Sequence, residues 1–118
     1  MTGGQMAPTT LEGQKATTCI YGRNPEINGN PVKMCELLAT LTGPSFIARE
    51  SLADVKHIVA AKKAIKKAFE HQMKGDGFTM VELLSSCPTN WHMTPEQALE
   101  YVRGDMEKLY PLGVFKEV

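Results

Sequence analysis

Two short stretches of this sequence hold residues able to do chemistry. In Met1-Thr2-Gly3-Gly4-Gln5 a glycine pair lets backbone amides approach an anion closely, and Thr2 and Gln5 add donors. Taken alone the motif is weak, and it also echoes a widely used phage-derived epitope tag; composition leaves both readings open. The second stretch is Ser86-Cys87-Pro88-Thr89-Asn90-Trp91. Its cysteine follows an apolar run that reads as a buried strand, and the carboxyl end of such a strand is where α/β folds place ligands. Cys-Pro is a common setting for iron–sulfur ligands, yet one thiol cannot build a cluster, and spacing alone favours packing for Cys87. Asn90, Trp91 and His92 are candidates to line a pocket beside it. His57, His71 and His92 have no paired spacing with the cysteines, which argues against zinc, and no Ser/His/Asp arrangement is visible.

The elements that would position these residues can be read from pattern. Residues 1–30 are a glycine- and threonine-rich loop region with one extended piece, Thr17–Tyr21, and Asn28-Gly29-Asn30-Pro31 is a turn. A helix is predicted over 32–41, with Met34, Leu37, Leu38 and Leu41 on one face and Gly43-Pro44 as its stop. Residues 45–52 alternate like a strand. Asp54 is placed to cap a long helix to about Lys74, with Val55, Ile58, Val59, Ile65, Phe69 and Met73 as its apolar stripe and Ala61 and Ala68 alongside. Lys62, Lys63, Lys66 and Lys67 fall on its outer face, where a solvated surface is the ordinary explanation. Residues 78–87 then read as a buried parallel strand, and Thr94-Pro95-Glu96-Gln97 as a capping box opening a helix that buries Leu99, Val102, Met106 and Leu109. The order gives an α/β fold with parallel strands, flanking helices and a right-handed crossover. Two strands make an incomplete sheet.

Composition excludes several classes. Thirteen basic and thirteen acidic side chains cancel in 118 residues, which gives no support to nucleic-acid or membrane-surface binding. No apolar run reaches membrane-spanning length. Three scattered cysteines make a poor disulfide framework, so a cytoplasmic protein is expected.

Six strings in order carry a resemblance: MTGGQMAPTT, YGR at 21–23, AKKAIKKAFE at 61–70, VELLSSCPTNW at 81–91, TPEQAL at 94–99 and YPLGVFK at 110–116. Together they resemble the thiamine-diphosphate-binding (beta) subunit of 2-oxoacid:ferredoxin oxidoreductases, of the 2-oxoglutarate and 2-oxoisovalerate types. The likeness covers essentially the whole chain, and MAPTT continues it where a tag would not. It implies the C-terminal portion of a thiamine-diphosphate-binding fold, with 1–30 a cofactor-proximal loop region and 31–118 the C-terminal half of the domain. By the resemblance, Thr2, Gly3, Gly4 and Gln5 line the cofactor's diphosphate and the substrate carboxylate. Cys87 matches the fourth cysteine ligand of a four-iron four-sulfur cluster, while the magnesium ligands and the other cysteines lie upstream of Met1. His92 and Ile20 stand where relatives carry other residues, and Cys19 and Cys35 match no ligand.

The reaction implied is thiamine-dependent oxidative decarboxylation of a 2-oxoacid, with coenzyme A taking the acyl group and ferredoxin the electrons, in company with companion subunits. By itself the chain is expected to be inactive. A different class of function, a non-catalytic interaction or assembly module of the same fold, would act through the lysine face or through homo-oligomerisation at exposed sheet edges.

Overall fold

The computed structural model describes residues 5–118. At its centre lies β1 (Pro44–Ser51), paired in parallel with β2 (Phe78–Leu84) and antiparallel with β3 (Gly113–Glu117), in the order β2-β1-β3. The parallel pair and its helical crossover are as the pattern predicts. β3 is not: Gly113–Glu117 returns antiparallel behind Pro111, making the three-stranded sheet mixed. Five residues after a proline carry too little periodicity to announce a strand.

β1 is buried on both sides, which the alternation of 45–52 does not reveal. Phe46 and Ala48 meet Ala64 and Ala68 of α3 (Val55–Lys74) on one face. The opposite face carries Arg49 and is covered by α2 (Met34–Ala39). α3 keeps its predicted limits because both ends are chemically marked. The Asp54 carboxylate accepts from the His57 amide at 3.0 Å, and Gly75 takes the left-handed conformation at φ 76° that closes the last turn.

Its buried face is not the predicted one. Ala61, Ala64, Ala68 and His71 face the sheet, while Val55, Ile58, Val59, Ile65, Phe69 and Met73 are all exposed to varying degrees. Small side chains let the helix lie close to the strands, and the large ones point elsewhere. α2 is corrected in the same way. It is shorter than predicted, Leu37 and Leu41 are exposed, and Cys35 is the side chain it buries.

Thr17–Tyr21 is a turn rather than an extended piece, with Ala16 and Cys19 exchanging backbone hydrogen bonds at 2.9 and 3.1 Å. A one-turn helix, α1 (Pro25–Asn28), follows; its cap is Asn24, whose side chain accepts from the Glu26 amide. After β2 come α4 (Pro88–Trp91), α5 (Pro95–Tyr101), a π-helical turn (Val102–Met106) and α6 (Glu107–Leu109). The Thr94–Gln97 capping box is present in full. Along this run Ala98 and Val102 are buried, and Met106 and Leu109 pack partly buried against Leu11, Ala53, Leu84, Val102 and Tyr110.

One guanidinium ties the sheet together. Arg49, fully buried, donates to both Glu36 oxygens (2.9 and 2.6 Å), to Glu82 at 2.6 Å and to the Pro111 carbonyl at 3.1 Å. The rings of Tyr110 and Phe115 lie 5.1 and 4.8 Å from its carbon. Through Arg49, β1 holds α2, β2 and the approach to β3 in one register.

Candidate functional site

Where β2 ends, a cavity of about 200 Å³ opens between the strand terminus and the N-terminal loop. Ala7, Thr9 and Thr10 form its loop wall, and Leu84, Ser85 and Cys87 its strand wall. This is the carboxyl end of a parallel strand, the side of an α/β sheet where ligands bind. The loop is held there by Tyr110, whose hydroxyl donates to the Thr9 carbonyl at 2.8 Å across 101 positions of sequence.

Behind that contact stands a residue that the motif reading passed over. Arg23, buried, donates through Nε to Gly29, through Nη1 to Ala7, Pro8 and Thr10, and through Nη2 to Asn28 and Asn30, always to backbone carbonyls. A single side chain thus gathers both ends of the loop. Gly22 beside it has φ 89°, and a Cβ there would lie 2.5 Å from the Gly13 carbonyl oxygen, so glycine is required for the close approach. The string YGR therefore has a local structural meaning: glycine for the crossing, arginine for the gathering.

Cys87 precedes the first turn of α4 and lines the cavity half-buried. The Asn90 side-chain amide donates to its sulfur at 3.2 Å, and the Trp91 amide donates to its carbonyl at 3.1 Å. Burial acts to raise the thiol's pKa and the Asn90 hydrogen bonds act to lower it; the net direction is down. Its sulfur is a soft donor atom of the kind that ligates a soft metal centre.

Trp91 lines the same cavity, with its ring edge-on to Tyr101 at 5.2 Å. On the far side of Trp91 a more open cleft of about 770 Å³ runs along Leu11, Lys15, Tyr101, Asp105 and Lys108. His92 lines neither of these two: it is exposed, in the left-handed conformation at φ 56°, ending α4.

The other candidates are accounted for. Cys35 is buried beneath the sheet and donates to Glu82 at 3.2 Å; burial first, then the bond and charge of Glu82, push its thiol up to about 12, the opposite of a reactive cysteine. His57 and His71 pair with Asp54 and Asp76 at 2.8 and 3.0 Å. Among the lysines, Lys67 pairs with Glu117 and Lys66 with Glu70. Of the glycine motif, Gln5 is exposed, and Thr2, Gly3 and Gly4 lie outside the described residues. Among the described residues no three His, Cys, Asp or Glu side chains converge as a metal site, no disulfide joins the cysteines, and no helix is long and apolar enough to cross a membrane.

Comparison with known proteins shows what this chain is similar to. Over 117 residues, 99% of its length, the chain is 50% identical to ketoisovalerate oxidoreductase subunit VorA of Methanothermobacter thermautotrophicus. This chain is homologous to one segment of that subunit. It is also 35% identical over 127 aligned positions to 2-oxoglutarate synthase subunit KorB of Archaeoglobus fulgidus, and 37% identical over 91 to the beta subunit of a 2-oxoacid:ferredoxin oxidoreductase of Saccharolobus solfataricus. The matches span 24% of VorA, 43% of that KorB and 25% of the beta subunit, so the chain corresponds to about a quarter to less than half of each relative. No family model and no solved structure matches the chain. Homology to 2-oxoacid oxidoreductase subunits agrees with the resemblance carried by the six strings.

Proposed function

We propose that this chain forms one wall of the active site of a 2-oxoacid:ferredoxin oxidoreductase, working with companion polypeptides. The observation that carries the reading is the 50% identity to VorA over nearly the whole chain. The position of Cys87 at the carboxyl end of a parallel strand supports it. The reaction is the thiamine-dependent oxidative decarboxylation of a 2-oxoacid, with coenzyme A as acyl acceptor and ferredoxin as electron acceptor, in a reducing cytoplasm.

The described residues do not make a complete cofactor site. They offer one candidate thiolate and no converging ligand set. Cys87 is proposed as one of four ligands to a four-iron four-sulfur cluster, the remaining ligands and those of magnesium coming from polypeptide outside this chain. Thr2, Gly3, Gly4 and Gln5 are proposed to face the diphosphate of thiamine diphosphate. The role left to this chain's own residues is placement: Arg23 and Tyr110 hold the loop against the strand end that carries Cys87.

Two measurements test this. Calorimetry on the isolated chain is expected to show no binding of thiamine diphosphate and magnesium at about micromolar affinity; tighter binding would overturn the claim that the metal ligands lie elsewhere. In the assembled oxidoreductase, Cys87→Ala is expected to remove or weaken an iron–sulfur signal in electron paramagnetic resonance. An unchanged spectrum would end the ligand role. The second reading, a non-catalytic assembly module, draws its support from the side of β2 with which no described strand pairs, and an assembled complex with no 2-oxoacid oxidation would favour it.

A further inference from the structure

Two helices of this chain open on the same layout: a residue at the cap, a proline at the first helical position and a side-chain amide at the third. At α5 the layout caps the helix. The Gln97 backbone amide donates to the Thr94 hydroxyl at 3.3 Å, and the Thr94 backbone amide donates to Gln97 Oε1 at 3.0 Å. At α4 the members are Cys87, Pro88 and Asn90, and the amide is reversed. Asn90 presents nitrogen instead of oxygen, and its Nδ2 donates to Cys87 Sγ at 3.2 Å. The orphan groups at a helix start are N–H donors, so capping calls for an acceptor there. A donor aimed at sulfur serves the sulfur and not the helix.

The surrounding turn holds that donor in place. Pro88 fixes φ at the first position, and after one turn the chain is stopped at His92. Among the described residues His92 is the one non-glycine with positive φ, at 56°. A left-handed residue with a Cβ persists only where its surroundings impose it. Here the His92 and Met93 amides donate back to the Thr89 and Pro88 carbonyls at 3.4 and 3.0 Å, closing the turn on itself. The other partnered thiol behaves differently: Cys35 donates its proton to Glu82, whereas the sulfur of Cys87 accepts.

We propose that Asn90 is a positioning residue for the iron–sulfur cluster, its side-chain amide raising the cluster's reduction potential through the sulfur of Cys87. The residues present fit one ligand position of such a group: Cys87 lines the cavity at the end of β2 and offers a soft sulfur with an N–H directed at it. One added electron increases the negative charge carried by the ligating sulfurs. An N–H aimed at one of them strengthens with that charge and favours the reduced form, and no proton moves. This role rests on the proposed ligation by Cys87 and adds to it the group that sets the potential.

The test is a potentiometric titration of the assembled oxidoreductase followed by electron paramagnetic resonance, read on the signal that Cys87→Ala removes or weakens. In Asn90→Ala that signal is expected to persist with a midpoint more negative by about 59 mV, the one-electron equivalent of a tenfold lower ratio of reduced to oxidised cluster at a fixed poise. Asn90→Asp keeps the shape, loses the donor and adds negative charge, so its midpoint should lie lower still. His92→Gly accepts the left-handed conformation, keeps Asn90, and should leave the midpoint where it is. A midpoint unmoved in Asn90→Ala, or moved as far in His92→Gly, overturns the proposal. So does loss of the signal in both Asn90 variants, because Asn90 would then hold only the protein frame. A Cys87→Ala spectrum identical to the unmodified one ends the ligand role and this proposal with it. With that role upheld, an unmoved midpoint in Asn90→Ala counts against Asn90 alone.

Discussion

Arg23 and Arg49 are both buried, yet they hold their surroundings by opposite means. Arg49 meets two carboxylates, Glu36 and Glu82, from different elements, and both ion pairs have a contact of 2.6 Å. Arg23 has no ion pair among the described residues and donates to backbone carbonyls of one loop. Carbonyls do not titrate, so the loop's geometry is insensitive to pH, whereas the sheet's depends on two acids staying ionised. Carbonyl acceptors also impose no demand on side-chain identity across the loop. The loop's sequence is therefore left open to chemistry, while that of the sheet is committed to holding Arg49.

The comparison is broken most directly at Arg49. Arg49→Ala strands two acids in a half-buried place and is expected to cost about 3–5 kcal/mol, a large share of the stability of a small domain. Urea denaturation measures it; a loss below about 1 kcal/mol would mean the network is no stronger than a surface pair. Arg49→Lys should rescue little, because an ammonium cannot serve both Glu36 oxygens and Glu82 in that planar geometry.

Arg23→Ala should cost less, about 1–3 kcal/mol, and should act locally. Amides of Gly13 and Arg23, which bond across the loop, are expected to exchange faster while those of β1 do not change. Global melting would show that the two regions are not separable.

The pH dependence sharpens the contrast further. The hydrogen bond to Arg49 holds Glu36 below its ordinary 4.5, so its contribution is present above that value and is lost as pH falls through the lower folded one. Cys35 is raised from 9.0 to about 12, so its contribution is present below 9.0 and is lost as pH climbs toward 12. Cys35→Ala should flatten that alkaline decline, and Arg23→Ala should leave both limbs of the stability profile unchanged in shape. The smallest effect expected is at Asp54, where Asp54→Ala removes the α3 cap at about 1 kcal/mol, read as a lower melting temperature.

These differences also explain what could be read in advance. α3 was legible to the residue because Asp54 and Gly75 mark its ends by local chemistry. Which face it buries was not, since periodicity finds large apolar side chains and here alanines make the contact with the sheet. The placement of Cys87 at the carboxyl end of a parallel strand was legible from the apolar run before it, whereas spacing alone reads its side chain as packing. Arg23 was not, because a side chain that bonds to carbonyls leaves no partner residue type to search for. β3 escaped for a related reason: its pairing with β1 is a tertiary event that five residues do not encode alone.

The π-helical turn at Val102–Met106 has a consequence of its own. It places one extra residue in a helical circuit, so everything after it is rotated by about 100° from where an uninterrupted α-helix would put it. Tyr110, whose ring covers Arg49 and whose hydroxyl reaches Thr9, stands just downstream of that phase shift. Deleting Gly104 would restore the regular winding and leave Tyr110 aimed as it is, whereas tightening the turn to an α-helix of the same length would swing Tyr110 away from both. One loosened turn thus sets the angular timing by which the loop and the sheet are brought into one piece.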